Sequence, residues 1–292
     1  MKNSSSLPGE WALILGASSG FGEATARELA KRGMNIVGVH LDRKSTLPNV
    51  LAIQKAIRDE GGESLFFNVN AADEENRKEV VHKIQETMKP SGKKIRTILH
   101  SLAFGTLKPY IAPRSEETLN KSQMEMTLDV MANSLVYWVQ DLYYAGLISK
   151  GSHIFAMTSE GSSHMWKAYG AVSAAKAALE SHLRQLAVEL ATEGVTANAI
   201  LAGVTDTPAL RKIPGHPDMI SGSMRRNPTG RLTTPKDVAH AIALRAELPL
   251  LQSGAWWRGM DAMGSARGPI SQWWGPQGQT LAHTDWHHPQ DN

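Results

Sequence analysis

The chain has 292 residues, 41% hydrophobic and 20% charged, an ordinary globular composition and enough length for one large α/β domain. Zero cysteines exclude disulfides, thiolate metal sites and a thiol nucleophile, and no apolar run is long enough to span a bilayer. A net charge of +3 and a pI near 9.0, with no Lys/Arg block or aromatic-interleaved basic stripe, argue against nucleic-acid binding. The N-terminal Met-Lys-Asn-Ser-Ser-Ser-Leu-Pro-Gly lacks the apolar core of a secretion signal, so a cytoplasmic protein is expected.

Apolar runs alternate with helical patterns from end to end, without an internal repeat or a dividing linker. Strands are expected at Trp11–Leu15, Asn35–His40, 64–69, Ile95–His100, 153–157, 196–200 and near 254–260. Helices are expected near 22–31, 48–60, 73–88, 116–147, 169–191 and 235–248, with Asp73 and Thr234 as N-caps and Pro235 in the first turn. This alternation predicts an α/β fold: a doubly wound parallel sheet of Rossmann type, forming a single domain over 10–264. A flexible 1–9 would precede it and an extension over 265–292 would follow. In such sheets the ligand lies beyond the carboxyl ends of the strands.

Directly after the first strand stands Gly16-Ala17-Ser18-Ser19-Gly20-Phe21-Gly22, opening onto a helix. Glycines let backbone approach a pyrophosphate, and the helix N-terminus offers free N–H groups and a favourable dipole. The second strand ends at His40, followed by Leu41, Asp42, Arg43 and Lys44. No carboxylate closes that strand, and two cations follow it. This favours a 2′-phosphate, hence NADPH, while Asp42 could still reach a ribose and leaves NADH open. Further along, Tyr169 precedes Lys176 by seven residues. On a helix that interval is nearly one stripe, about 10 Å along the axis. A spacing of four would put Val172 opposite the Lys, and Val172 has no proton to donate. The longer interval moves the acid away from the cofactor's ribose. It suits a substrate oxygen remote from the carbon that takes hydride, as in a conjugated enoyl thioester.

The glycine spacing resembles that of the short-chain dehydrogenase/reductase superfamily. Over about residues 10–264 the chain most resembles its enoyl-acyl carrier protein reductases, in the minority type that joins this loop to the longer Tyr–Lys interval. The run from Leu99 to Gly105 is similar to their His-Ser segment, that from Ala202 to Thr207 to the segment holding the carboxamide, and that from Asn227 to Val238 to a common superfamily stretch. Met131 stands where carbonyl-reducing relatives carry a water-holding Asn, and a thioether cannot donate a hydrogen bond. The resemblance implies Tyr169 as the acid, Lys176 as ribose ligand and charge lowering the phenol's pKa, and Ser159 as the superfamily's serine. It implies a dinucleotide held by Gly16, Ser18, Ser19, Gly20, Phe21, Gly22, His40, Arg43, Lys44, Asn68, Val69, His100, Ser101, Leu102, Lys176, Gly203, Thr205 and Thr207.

The activity so implied is NAD(P)H-dependent reduction of trans-2-enoyl thioesters in fatty-acid synthesis. A carbonyl reductase with an altered proton relay and a catalytically silent dinucleotide sensor are the rivals. A mobile lid is expected near 207–230, and Arg211, Lys212, Arg225 and Arg226 around it would attract an acyl carrier protein or the phosphates of coenzyme A. Phe104 and Tyr110 are candidates for the acyl pocket, Trp256 and Trp257 for packing or a subunit interface. His283, His287 and His288 lack metal-ligand spacing, so no metal is expected. Tetramers are common in the superfamily, so the resemblance implies a homo-oligomer, with a homotetramer expected.

Overall fold

The computed structural model describes residues 7–247 and 256–258. Among the described residues seven strands are present: β1 (Trp11–Leu15), β2 (Asn35–His40), β3 (Ser64–Asn68), β4 (Ile95–His100), β5 (His153–Thr158), β6 (Thr196–Leu201) and β7 (Trp256–Arg258). All pair parallel in the order β3-β2-β1-β4-β5-β6-β7, which is the doubly wound sheet expected. Helices cover both faces, so β1, β2, β5 and β6 are buried throughout and are predominantly apolar.

Alternate residues serve the two faces. Leu13 and Leu15 of β1 pack with Val80 and Ile84 of α3 (Glu74–Met88), with Trp138 of α5 (Ser134–Tyr144) and with Leu179 of α6 (Gly170–Glu189). Ala12 and Ile14 face Leu29 of α1 (Gly20–Lys31), Ile53 of α2 (Leu47–Asp59) and Ile242 of α8 (Pro235–Glu247). Leu7 is buried in this second cluster and Gly9 donates to the Gly33 carbonyl, so the packed domain begins before residue 10.

Local capping explains where three of the described helices start. Asp73 accepts from the Asn76 N–H, and Thr234 exchanges bonds with Asp237 across the first turn of α8. The long helix expected over 116–147 is instead divided. Asn120 and Gln123 form a capping box that starts α4 (Lys121–Leu128), and a π-helical turn (Asp129–Asn133) joins it to α5. Gly146, at φ 67°, ends α5: its N–H donates to the Tyr143 carbonyl, and that of Leu147 to the Leu142 carbonyl. One helix was not foreseen: α7 (His216–Arg226) lies inside the segment read as a Pro- and Gly-rich lid. The side chains of Trp256 and Trp257, and the tail with its three histidines, lie outside the described residues. Among the described residues no helix is long and apolar enough to cross a membrane.

Candidate active site

Strand order reverses between β1 and β4, which opens a crevice at their carboxyl ends. The glycine loop lies there. Gly16 adopts φ 91°, and a Cβ on it would come within 2.5 Å of the Ser101 carbonyl oxygen. A Cβ on Gly22 would collide with the Gly16 carbonyl. Both positions therefore admit only glycine, and loop, helix and the β4 exit close tightly on one another. Ser19 is the N-cap of α1 but makes no side-chain cap bond, so the first-turn N–H groups have no such partner and suit a pyrophosphate. The residues present fit a dinucleotide.

At the end of β2 the expected cofactor residues divide into two groups. His40 is buried, and burial lowers its pKa below the usual value; its Nδ1 donates to Asp42 at 3.0 Å. Burial pushes the Asp42 carboxyl up, but hydrogen bonds from Ser18, Thr46 and His40 outweigh it and hold the pKa below the usual range. The Asn68 side chain brackets the Asp42 backbone, with bonds of 2.8 and 3.0 Å, and the Val69 N–H donates to His40. His40 and Asn68 thus build the β2 turn, whereas Arg43 and Lys44 are exposed beyond it.

Below the crevice, His100 is fully buried. Ser134 gives its only hydroxyl proton to the Val130 carbonyl, so the 2.9 Å contact with His100 has the ring Nε2–H as donor. Its Nδ1 has no partner among the described residues. Burial, then the Lys176 charge, pushes its pKa down to about 3, so the ring is neutral. Ser101 instead joins the crevice through backbone, donating to Leu15 and abutting Gly16. Leu102 packs against the core.

A cavity of about 500 Å³ continues from the crevice. Ser159, Tyr169, Lys176, Phe21, Gly203, Thr205 and Thr207 all line it, as do Met131 and Val172. The structure therefore brings together the catalytic candidates and the carboxamide segment. Phe104 and Tyr110, proposed for the acyl pocket, are instead 60% and 50% exposed and absent from its lining. Sequence reasoning missed Trp166, whose indole donates to Pro214 at 2.8 Å and joins one wall to the lid segment. The lid segment itself contributes Leu210, Lys212, Ile213, Met219 and Arg226.

Tyr169 is the N-cap of α6 rather than its first residue. Ala168 just before it has φ 60°, a left-handed conformation costly for a residue with a Cβ. The phenol oxygen lies 3.5 Å from the Ser159 hydroxyl. Burial raises the phenol's pKa and the Ser159 bond offsets only part of that, contrary to the lowering expected from Lys176. The reason is that Lys176 turns to the Met157 carbonyl, donating at 2.6 Å. Burial draws the lysine's pKa down to about 8, with the Glu180 carboxylate opposing. One of its three protons is committed to Met157, and two are left for ribose hydroxyls.

The four cations near the lid do not act as one patch. Arg211 is paired with Asp206 through two bonds of 2.8 Å. Lys212 and Arg226 line the cavity, and Arg225 is exposed on the last turn of α7.

Comparison with known proteins agrees with this fold. Residues 16–247 match the family described as Enoyl-(Acyl carrier protein) reductase. A cis-4-hydroxycyclohexanecarboxylate dehydrogenase of Sinomonas cyclohexanicum is 29% identical over 245 residues, 80% of this chain and 88% of that protein. A 1-cyclohexenylcarbonyl-CoA reductase of Streptomyces collinus is 28% identical over 234 residues, 79% and 78% of the two chains. The crystal structure of an enoyl-[acyl-carrier-protein] reductase (NADH) from Aquifex aeolicus VF5 superposes with a TM-score of 0.72 at 21% identity, covering 89% of this chain and 99% of that one.

Proposed function

The chain belongs to this family of the short-chain dehydrogenase/reductase superfamily and is an oxidoreductase of NAD(P)(H) type; on that premise we propose that it reduces trans-2-enoyl thioesters. One observation carries the reading. The phenol at the cavity wall is Tyr169, seven residues before Lys176, while Val172 and Met131 fill the wall where a carbonyl reductase would keep its proton relay. A dinucleotide held in the crevice would supply hydride to the β-carbon, and solvent the proton that then completes the α-carbon. Tyr169 holds its O–H toward the thioester oxygen, where negative charge builds, and a donor so placed acts as an oxyanion stabiliser. Its raised pKa keeps the proton in place at neutral pH. Ser159, 3.5 Å away, orients the phenol or the substrate oxygen. Lys176 holds the ribose and adds positive potential beneath it.

NADPH is the proposed cofactor. The Asp42 carboxylate is already engaged by Ser18, Thr46 and His40, and the exposed Arg43 and Lys44 are the cations suited to a 2′-phosphate. The same carboxylate, lying beside the glycine loop, favours NADH as second reading. Substrate delivery by an acyl carrier protein or coenzyme A, a place in fatty-acid synthesis and a homotetramer through the outward faces of α5 and α6 belong to the same proposal. Tyr137, Tyr144 and Val188 are exposed on those faces. The test is oxidation of NADPH and of NADH with crotonyl, decenoyl and acetoacetyl thioesters side by side. Turnover of both enoyl compounds, faster with NADPH, is expected. Turnover of the acetoacetyl thioester alone would replace the reading with carbonyl reduction, toward which the dehydrogenase relative points.

A further inference from the structure

Beneath the cavity floor lies a carboxylate that the mechanism above does not use. Glu180 follows Lys176 by one turn of α6, and the two residues are 5% and 6% exposed. The Thr158 hydroxyl, itself buried, donates to the Glu180 carboxylate, while Lys176 donates to the carbonyl of Met157 next door. Two consecutive residues at the end of β5, immediately before Ser159, are thus each tied to α6, one by each charged side chain. Glutamate is almost never buried this deeply without a partner, and a buried ammonium without a counter-charge sheds its proton. Other titratable groups near Lys176 do not supply that counter-charge. His100 on β4 is neutral, Tyr169 keeps its proton, and Asp129 on the π turn has its carboxyl pushed up by burial and drawn back by Arg77. Glu160, after β5, is exposed at the cavity rim.

We propose that Glu180, anchored by Thr158, is a positioning residue that holds Lys176 charged and aimed at the ribose of the dinucleotide. The proposal rests on the cofactor role given to Lys176 above, and not on the identity of the substrate. Its alternative is a purely mechanical tie between α6 and β5.

The experiment measures the dissociation constant of NADPH, and of NADH, from pH 6 to 10 for the wild type and for Glu180→Gln, Glu180→Asp, Thr158→Val and Lys176→Ala, with melting curves to confirm folding. Wild-type affinity falls as Lys176 loses its proton near pH 8. Removing the carboxylate lowers the lysine's pKa, so in Glu180→Gln that limb moves acidward by about one to two pH units, the effect of a unit charge one helical turn away at an effective dielectric of about 20. Glu180→Asp restores part of the shift. Thr158→Val, which frees the carboxylate without removing it, moves the limb the same way by less, and decides the matter if Glu180→Gln does not fold. A limb that stays at its wild-type pH in a folded Glu180→Gln, or in Thr158→Val should that substitute for it, overturns the proposal. If Lys176→Ala binds dinucleotide as well as wild type, the lysine's role falls and the proposal falls with it. A weakened Lys176→Ala beside an unshifted Glu180→Gln removes the proposal alone.

Discussion

Tyr169 owes its position to its neighbours more than to its own helix. The strained φ of 60° at Ala168 turns the chain into α6, and the residue stays half-buried at the cavity wall with Ser159 3.5 Å from its oxygen. If it stabilises a developing oxyanion, Tyr169→Phe lowers turnover of an enoyl thioester by about 10²-fold or more, the usual cost of one such donor. Dinucleotide affinity should hardly change, because the phenol is not the ribose ligand. Steady-state kinetics with crotonyl-CoA and a separate binding titration check both halves. A silent Tyr169→Phe beside a dead Ser159→Ala would transfer the acid role to the serine. The Tyr169/Lys176 pair was legible because spacing is a property of sequence. The direction of the phenol's shift was not, because it depends on burial and on Lys176 turning to Met157. Glu180 was invisible for the same reason. A Glu one turn after a Lys reads as a solvated helix pair until a strand is found covering it.

Elements built from long apolar runs or explicit caps were legible, and those defined by their neighbours were not. Strands β1, β2 and β4 fall where the runs of Val, Ile and Leu put them, and Asp73 and Thr234 start their helices. The break between α4 and α5 escaped notice because the periodic pattern continues through the π turn, shifted by one residue. Helix α7 was masked by Gly215, Pro217 and Gly222, although Pro217 lies in its first turn, where proline is tolerated. The face it turns to the cavity, Asp218, Met219, Gly222, Ser223 and Arg226, has helical spacing that becomes evident only once the cavity is known. That geometry sharpens the docking proposal. Lys212 and Arg226 line the cavity and Arg211 is paired with Asp206, so of these four cations Arg225, exposed on the last turn, is the one placed outside both roles and suited to meet a carrier protein. Arg225→Glu should therefore reduce kcat/KM for a carrier-bound enoyl substrate several-fold at low salt. The deficit should shrink as salt rises through the range where the Debye length drops below about 10 Å. A short pantetheine thioester should be turned over at the wild-type rate. Equal losses on both substrates would assign Arg225 to the structure of the lid.

Across the whole molecule, the parallel sheet places two histidines where no water reaches them. His100 closes β4 and His153 opens β5, and both are fully buried. His153 shares a 2.8 Å hydrogen bond with Thr196 on the neighbouring strand β6. Burial, then the charges of Arg96 and Arg245, draws the His153 pKa down to about 4, as burial and Lys176 draw that of His100 to about 3. Both values lie below the unfolded value of about 6.5. As pH falls, the unfolded chain therefore binds these protons first. Their contribution to stability is complete above about pH 6.5 and is lost progressively as pH drops toward the folded-state values. Between pH 6.5 and 5 each histidine should cost about 1.5 kcal/mol of unfolding free energy, a large share of the total for a domain of this kind. Most surface carboxylates are still ionised in that window, so the acid limb above pH 5 belongs chiefly to buried histidines: these two rings, with smaller shares from His40 and His182, whose pKa values burial also lowers. Urea denaturation at pH 6.5 and pH 5 should show the loss in the wild type. In His153→Gln, whose amide can still bond Thr196 and carries no proton to gain, the loss between the two pH values should shrink by somewhat less than half, since His40 and His182 add to it, even if the variant starts less stable. An unchanged slope would mean that His153 keeps its proton in the folded sheet, and that the acid sensitivity of this fold arises from its carboxylates instead.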